Sequence, residues 1–137
     1  MKVIVDTSVW SLALRRGSDA SSAQADELRN LIADQRVQMI GPIRQELLSG
    51  IRLDRQFERL DKHLAAFPDL PVTTADYVAA ARFFNVCRAK GVQGSNTDFL
   101  ICALAARCDM AIYTTDRDFC QFAKHLPITL HLPDARA

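Results

Sequence analysis

Five carboxylates stand where this sequence could concentrate chemistry. Asp6 directly follows the apolar run Val3, Ile4, Val5, and Glu46 lies in "PIRQELLSG". Asp98 opens "DFLICALAA", and Asp116 and Asp118 close "AIYTTDRD". Each alone has an ordinary explanation. Asp6 can cap the next helix, Asp98 can complement a helix macrodipole, Glu46 can be a solvated helical glutamate, and Asp116 and Asp118 can shape a turn. Together they have a different chemistry. Carboxylates that converge without partners repel one another, and a divalent cation makes such a cluster tolerable. Oxygen-only ligands select Mg²⁺ or Mn²⁺ over zinc, and a carboxylate-held Mg²⁺ keeps waters and binds phosphate oxygens. The set therefore points to phosphate or phosphodiester chemistry. His63, His125 and His131 show no metal-ligand spacing beside these acids.

Elements of an α/β fold are needed to bring the acids together. An unbroken β-branched run such as Val3 to Val5 reads as a strand buried on both faces of a parallel sheet. Thr7 or Ser8 can cap a short helix through about Arg15, and "RRGSDASS" supplies the break. A second helix fits "SAQADELRNLIADQ", with Ala25, Leu28, Leu31 and Ile32 at helical spacing; "VQMI" is a second strand. Pro42 suits the first turn of a helix over "PIRQELLS" that Gly50 stops, and a fourth helix runs from Arg55 to Phe67 with Phe57, Leu60, Leu64 and Phe67 as its stripe.

Thr74 opens a long helix closed by Gly91, and "GVQGSN" is a glycine-bearing loop. Asn96 or Ser95 caps "TDFLICALAARC", a helix apolar on most of its circumference and therefore central. "MAIYTT" is a strand, a last helix covers Phe119 to Lys124, and "ITLHL" is a terminal strand. Alternating helices and short apolar strands predict a short parallel sheet flanked by helices. In such a sheet, sites form outside the carboxyl ends of the strands, so Asp6 and Asp116 are expected on one edge.

Bulk properties narrow the class. The chain has 137 residues, 49% hydrophobic and 24% charged, and reads as one folded domain over 1–137. Seventeen basic and sixteen acidic side chains leave +1, so any polyanion must be held by a local patch or a metal ion. Cys87, Cys102, Cys108 and Cys120 form no CxxC pair and read as reduced thiols. The N-terminal apolar run is too short for a secretory signal, and no stretch approaches a membrane span, so the expected location is the cytoplasm.

The residues "VDTSVW", "RQELLSG", "NTDFLICALAA" and "YTTDRDF" resemble, in order and spacing, the four motif blocks of the PIN domain. The opening, the length and the compact ending resemble in particular the VapC toxins, the ribonuclease half of VapBC toxin and antitoxin pairs. The resemblance covers essentially the whole chain. It implies a PIN-like three-layer fold and matches the family acids to Asp6, Glu46, Asp98 and Asp116, with Asp118 nearby. It also implies a Mg²⁺- or Mn²⁺-dependent endoribonuclease acting on single-stranded RNA or a tRNA loop. A homodimer is implied as well, neutralised by a small VapB-type antitoxin whose C-terminal segment enters the acidic cleft. "TDRDF" leaves the division of labour between Asp116 and Asp118 open.

In this reading one or two metal ions lie between Asp6 and Asp98, while Glu46 and Asp116 complete the shell directly or through waters. Hydroxyls of Thr7, Ser8, Thr114 and Thr115 can support the carboxylates or merely cap and turn. Arg15, Arg16, Arg44, Arg88 and Lys90 are candidates for a phosphate track, with simple solvation as the alternative; Trp10 and Phe99 can stack on bases or serve the core. A phosphoacceptor receiver domain is disfavoured because the stretch from 55 to 95 offers no central strand. A haloacid dehalogenase-type phosphatase wants DxD after the first strand, where this chain has Ser8. The remaining alternative is an inactive PIN-like module that binds an antitoxin or RNA without cleaving it.

Overall fold

The computed structural model describes residues 1–14 and 22–133. Its centre is a parallel sheet of β1 (Val3–Val5), β2 (Val37–Gln38), β3 (Ala111–Tyr113) and β4 (Thr129–Leu130), in the spatial order β2-β1-β3-β4. Val3, Ile4 and Val5 have no exposed surface, as the unbroken apolar run requires. Ile4 is in register with Gln38 on one side and Ile112 on the other, and Val5 lies beside Tyr113. The chain steps from β1 to one neighbour, then returns across the sheet to place β3 on the other side. The ends of β1 and β3 thus flank the point where strand order reverses, the usual place for a site in an open α/β sheet.

Seven helices appear among the described residues: α1 (Thr7–Leu14), α2 (Ala23–Ala33), α3 (Gly41–Leu48), α4 (Asp54–Leu64), α5 (Thr74–Ala89), α6 (Asn96–Cys108) and α7 (Asp118–Ala123). Every residue of α6 from Phe99 to Ala105 is buried, which bears out its central position. Both long helices start with a reciprocal capping box. Thr73 and Asp76 exchange bonds at the start of α5, and Ser95 and Asp98 do so at the start of α6. Ser95, rather than Asn96, is therefore the cap. Gly91 ends α5 at φ +76°, a left-handed conformation that favours glycine.

The second helical contact of Asp76 is tertiary. Its carboxylate is 2% exposed and receives Arg107 Nε at 2.5 Å and Nη2 at 2.9 Å, joining the start of α5 to the end of α6. Arg44 of α3 performs a similar task for α4: it donates to the carbonyls of Leu64 (3.1 Å) and Phe67 and to Asp69 Oδ1 at 3.0 Å. Its guanidinium ties down a helix end and does not point to a phosphate track.

The element boundaries differ from the sequence reading in informative ways. The fourth helix ends at Leu64, not Phe67, because the Leu64 and Phe67 carbonyls turn to Arg44. Leu64 is fully buried, Leu60 and Phe67 pack against the core, and Phe57 is exposed. "VQMI" pairs only at Val37 and Gln38, since Met39 already bridges to Asp69, and "ITLHL" pairs only at Thr129 and Leu130. The first helix ends at Leu14 among the described residues; Arg15 and Arg16 lie outside them. Trp10 and Phe99 are 1% exposed and belong to the core, which removes them as base-stacking surfaces.

Candidate active site

Asp6 leaves β1 at the reversal point and is 8% exposed. Its backbone N–H donates to the Tyr113 carbonyl at 2.8 Å, so the pairing of β1 with β3 fixes its main chain. Its own carbonyl accepts from Val9 and Trp10, and Oδ1 accepts from the Thr7 N–H at 2.8 Å. Asp6 thus starts α1 itself. The expectation that Thr7 or Ser8 would take over the capping is corrected: their hydroxyls face carboxylates instead.

Ser8 Oγ donates to Asp6 Oδ2 at 3.3 Å, and Thr114 Oγ1 donates to the same oxygen at 2.7 Å. Thr7 Oγ1 donates to Glu46 Oε2 at 3.2 Å, which joins the start of α1 to α3. Ser8 Oγ also accepts from Thr115 N–H at 3.2 Å, and Thr114 Oγ1 accepts from Asp116 N–H at 3.0 Å. A hydroxyl lattice therefore links the loop after β3 to the carboxylate after β1. Charge-assisted bonds of this kind fix a carboxylate's orientation.

Asp98 arrives from another direction, in the first turn of α6. Its Oδ2 accepts from Ser95 N–H at 3.0 Å and its own N–H donates to Ser95 Oγ at 3.0 Å. Burial raises its pKa above the usual carboxylate range; Ser95 opposes this, while the charges of Asp6 and Asp116 add to the rise. Glu46 is raised too. Partial desolvation at the cleft wall leads, although the residue as a whole is exposed; the Thr7 hydroxyl opposes it, and Asp6 and Asp98 push it further up. Asp6 and Asp98 thus lie within electrostatic reach of Glu46, and Asp6 and Asp116 within reach of Asp98.

Asp118 stands apart from that set. It is exposed, and its N–H donates to Asp116 Oδ1 at 2.9 Å, so Asp116 opens α7 with one carboxylate oxygen. Between the two acids left open by the sequence, Asp116 is the one whose charge acts on Asp98.

Among the described residues no three acidic, histidine or cysteine side chains are close enough to hold an ion unaided. The donor set nonetheless suits Mg²⁺ or Mn²⁺, which bind through one or two carboxylates and keep several waters. The histidines lie elsewhere: His63 and His125 are exposed, and His131 Nε2 is 2.7 Å from Glu27 Oε2. Arg88 and Lys90 are exposed at the end of α5 and make no hydrogen bond or ion pair with the acids.

One positioning residue was not visible in the sequence. A Cβ on Gly94 would stand 2.5 Å from Phe122 Cζ and 3.0 Å from Phe99 Cε2, so the loop entering α6 lies directly on aromatic rings. The Phe99 and Phe122 rings are 4.8 Å apart, which couples the start of α6 to α7. "GVQGSN" signals a glycine loop, but the need for glycine at this point arises only from the folded neighbours.

Comparison with known proteins agrees with this fold. The PIN domain family model matches residues 3–125. The VapC ribonuclease Mb1587 of Mycobacterium bovis is 35% identical over 121 residues, covering 85% of this chain and 88% of the relative. Ribonuclease VapC11 of Mycobacterium tuberculosis shows the same identity and coverage. In structure, VapBC2 from Rickettsia felis, solved bound to a DNA fragment from its promoter, aligns with TM-score 0.76 at 17% identity, covering 96% of this chain and 98% of that one. FitAcB from Neisseria gonorrhoeae aligns with TM-score 0.73 at 16% identity, covering 96% and 97%. Both are likenesses of the overall fold. The acids gathered at the β1 and β3 ends sit within the matched region, and the chain belongs to the VapC branch of the PIN-domain family.

Proposed function

We propose that this protein is a Mg²⁺- or Mn²⁺-dependent endoribonuclease and the toxin of a toxin and antitoxin pair. One observation carries the reading: the Asp6 carboxylate at the strand-order reversal takes three donors, from Thr7, Ser8 and Thr114, and shares its field with Glu46 and Asp98. Asp6, Asp98 and Asp116 would hold the ion, with Glu46 and, at greater distance, Asp118 acting directly or through water. When bound, the ion lowers the pKa of a water and offsets the charge that develops on the scissile phosphate.

The chain's own residues do the rest. Thr114 and Ser8 both donate to Asp6 Oδ2 and so limit rotation of its carboxylate. Glu46, held by Thr7 and raised in pKa, is suited to orient the attacking water and accept its proton. Asp98 is held by Ser95 at a fixed depth. The relatives' names, and the toxin and antitoxin complexes among the similar structures, support RNA as substrate and a small VapB-type antitoxin as partner. The reading includes a homodimer, a single domain over 1–137 and a cytoplasmic location; no described helix is long and apolar enough to cross a membrane.

Purified, antitoxin-free protein is expected to cut RNA with Mg²⁺ or Mn²⁺. Asp6→Asn and Asp98→Asn should abolish cleavage with the circular dichroism spectrum unchanged. Full cleavage by both variants, or in excess chelator, overturns the reading in favour of a non-catalytic binding module.

A further inference from the structure

An acidic cleft that acts on a polyanion needs positive charge beside it. Only two basic side chains stand within two residues of the five acids: Arg44, two positions before Glu46, and Arg117, between Asp116 and Asp118. Arg44 is engaged elsewhere, by the Leu64 and Phe67 carbonyls and by Asp69. Arg117 is exposed and, among the described residues, its side chain makes no hydrogen bond or ion pair, although a carboxylate precedes it and another follows.

The backbone that carries Arg117 is held on both sides. Thr115 N–H donates to Ser8 Oγ at 3.2 Å and Asp116 N–H donates to Thr114 Oγ1 at 3.0 Å, so the two hydroxyls that hold Asp6 also hold this turn. Asp118 N–H donates to Asp116 Oδ1 at 2.9 Å, and the Arg117 carbonyl accepts from Cys120 N–H at 3.0 Å. Phe119, two residues on, has no exposed surface and anchors the turn in the core. The guanidinium therefore extends from a fixed point, one residue or about 3.8 Å of chain from the Cα of Asp116.

We propose that Arg117 binds a backbone phosphate of the RNA at the rim of the cleft, next to the phosphate that is cut. The assignment rests on the ribonuclease reading above and names how that substrate is held. A guanidinium beside carboxylates can either neutralise them or take an anion from outside, and this one is not paired with its neighbours. It stays charged at every working pH and presents a planar fork that fits two phosphate oxygens. The acids repel RNA as well as one another. A metal ion offsets that repulsion at the scissile phosphate, and a cation on the rim offsets it at the adjoining one.

The test uses the full chain and a fluorescein-labelled pool of random 12-nucleotide single-stranded RNAs. Binding is measured by anisotropy in the Asp98→Asn background with Mg²⁺ at several KCl concentrations, and cleavage kinetics are measured with Asp98 intact. Losing one phosphate contact lowers the slope of log affinity against log salt by about 0.7. Arg117→Ala should show that reduction with KM and Kd raised about 10-fold, the low end for a hydrogen bond to a charged group, and kcat within about threefold. Arg117→Lys should keep the slope and lose part of the affinity, because an ammonium cannot make the forked contact. Lys2→Ala removes an equal charge just before β1, at the amino edge of the sheet opposite the acids, and should change none of these.

Unchanged slope and Kd in Arg117→Ala overturn the proposal. An equal change in Lys2→Ala overturns it too, since the effect would then be one of overall charge. A shifted Mg²⁺ requirement with RNA affinity intact also overturns it and assigns Arg117 to the carboxylates. If the wild type cuts no RNA while Arg117-dependent binding persists, the phosphate contact stands and the ribonuclease reading falls; cleavage that is the same in wild type and Arg117→Ala keeps that reading and removes the contact.

Discussion

At the scale of single residues, the site is a set of carboxylates whose charges oppose one another. Asp98 and Glu46 both have raised pKa values, chiefly through burial. A group with a raised folded pKa favours the fold fully below its unfolded pKa, and that contribution is lost as pH rises through the folded value. Metal-free protein is therefore less stable at pH 7 than it would be with Asp98 uncharged. Asp98→Asn should raise the melting temperature in chelator at pH 7, and the gain should vanish as the pH falls below the range in which Asp98 ionises. Thermal scans from pH 3 to 8 check this. Thr114 makes a different prediction. Thr114→Val removes a donor to Asp6 and an acceptor for Asp116 N–H, and the expected loss is about 10- to 100-fold in Mg²⁺ affinity or activity, the usual cost of removing a group that orients a ligand. A Mg²⁺ titration of cleavage rate measures it.

Asp6, Asp98 and Asp116 stood out in the sequence by their places at element ends, and Glu46 by the border of its helix's apolar face. The α/β pattern put only Asp6 and Asp116 on one edge. The hydroxyl roles did not stand out. Whether Thr7, Ser8 and Thr114 cap helices or hold carboxylates depends on the register of β1 with β3, which no local pattern specifies. No local pattern ranks Asp116 against Asp118; in the folded chain the charge of Asp116 adds to the rise in the Asp98 pKa, and Asp118 is exposed.

At the scale of elements, periodicity and caps made the helices legible, including the buried α6, because an apolar circumference has one physical outcome. The short edge strands were overextended, since strand length is set by pairing and not by composition. Arg44 was misjudged for a related reason: its partners, the Leu64 and Phe67 carbonyls, belong to a helix end distant in sequence. Two substitutions test how elements hold the site. Asp76→Ala removes the α5 capping box and the Arg107 contact and should cost about 1–2 kcal/mol, the size of a lost N-cap, because Arg107 can turn to solvent. Arg107 holds the Asp76 pKa below its usual value, so the stabilisation exists at neutral pH and is lost as pH falls through the lowered pKa. Urea denaturation at pH 7 and pH 3 should show the difference between variant and wild type shrink. Gly94→Ala places a Cβ against Phe122 and should destabilise by about 1–3 kcal/mol, as overpacking does, while lowering cleavage through displacement of Asp98.

At the scale of the whole molecule, a nearly neutral α/β protein concentrates negative charge at one edge of its sheet and must still attract a polyanion. The slope of RNA affinity against salt is set by the number of phosphates that Lys and Arg side chains contact, not by the net charge of +1, so a shallow slope is expected if the acid cluster and its metal ion hold the RNA. Anisotropy titrations between 50 and 300 mM KCl would reveal a steep slope if a basic track outside the described residues dominates. The family assignment follows from the whole chain, through 35% identity to the mycobacterial VapC proteins and the shared fold of VapBC2. The chemistry of the cleft is the claim that most needs a direct measurement. Purified wild type and Asp6→Asn, matched in melting temperature, should be compared for cleavage of total RNA across a Mg²⁺ titration. Mg²⁺-dependent cleavage by the wild type, lost in Asp6→Asn, is the predicted result; cleavage that survives the substitution or persists in chelator would contradict it.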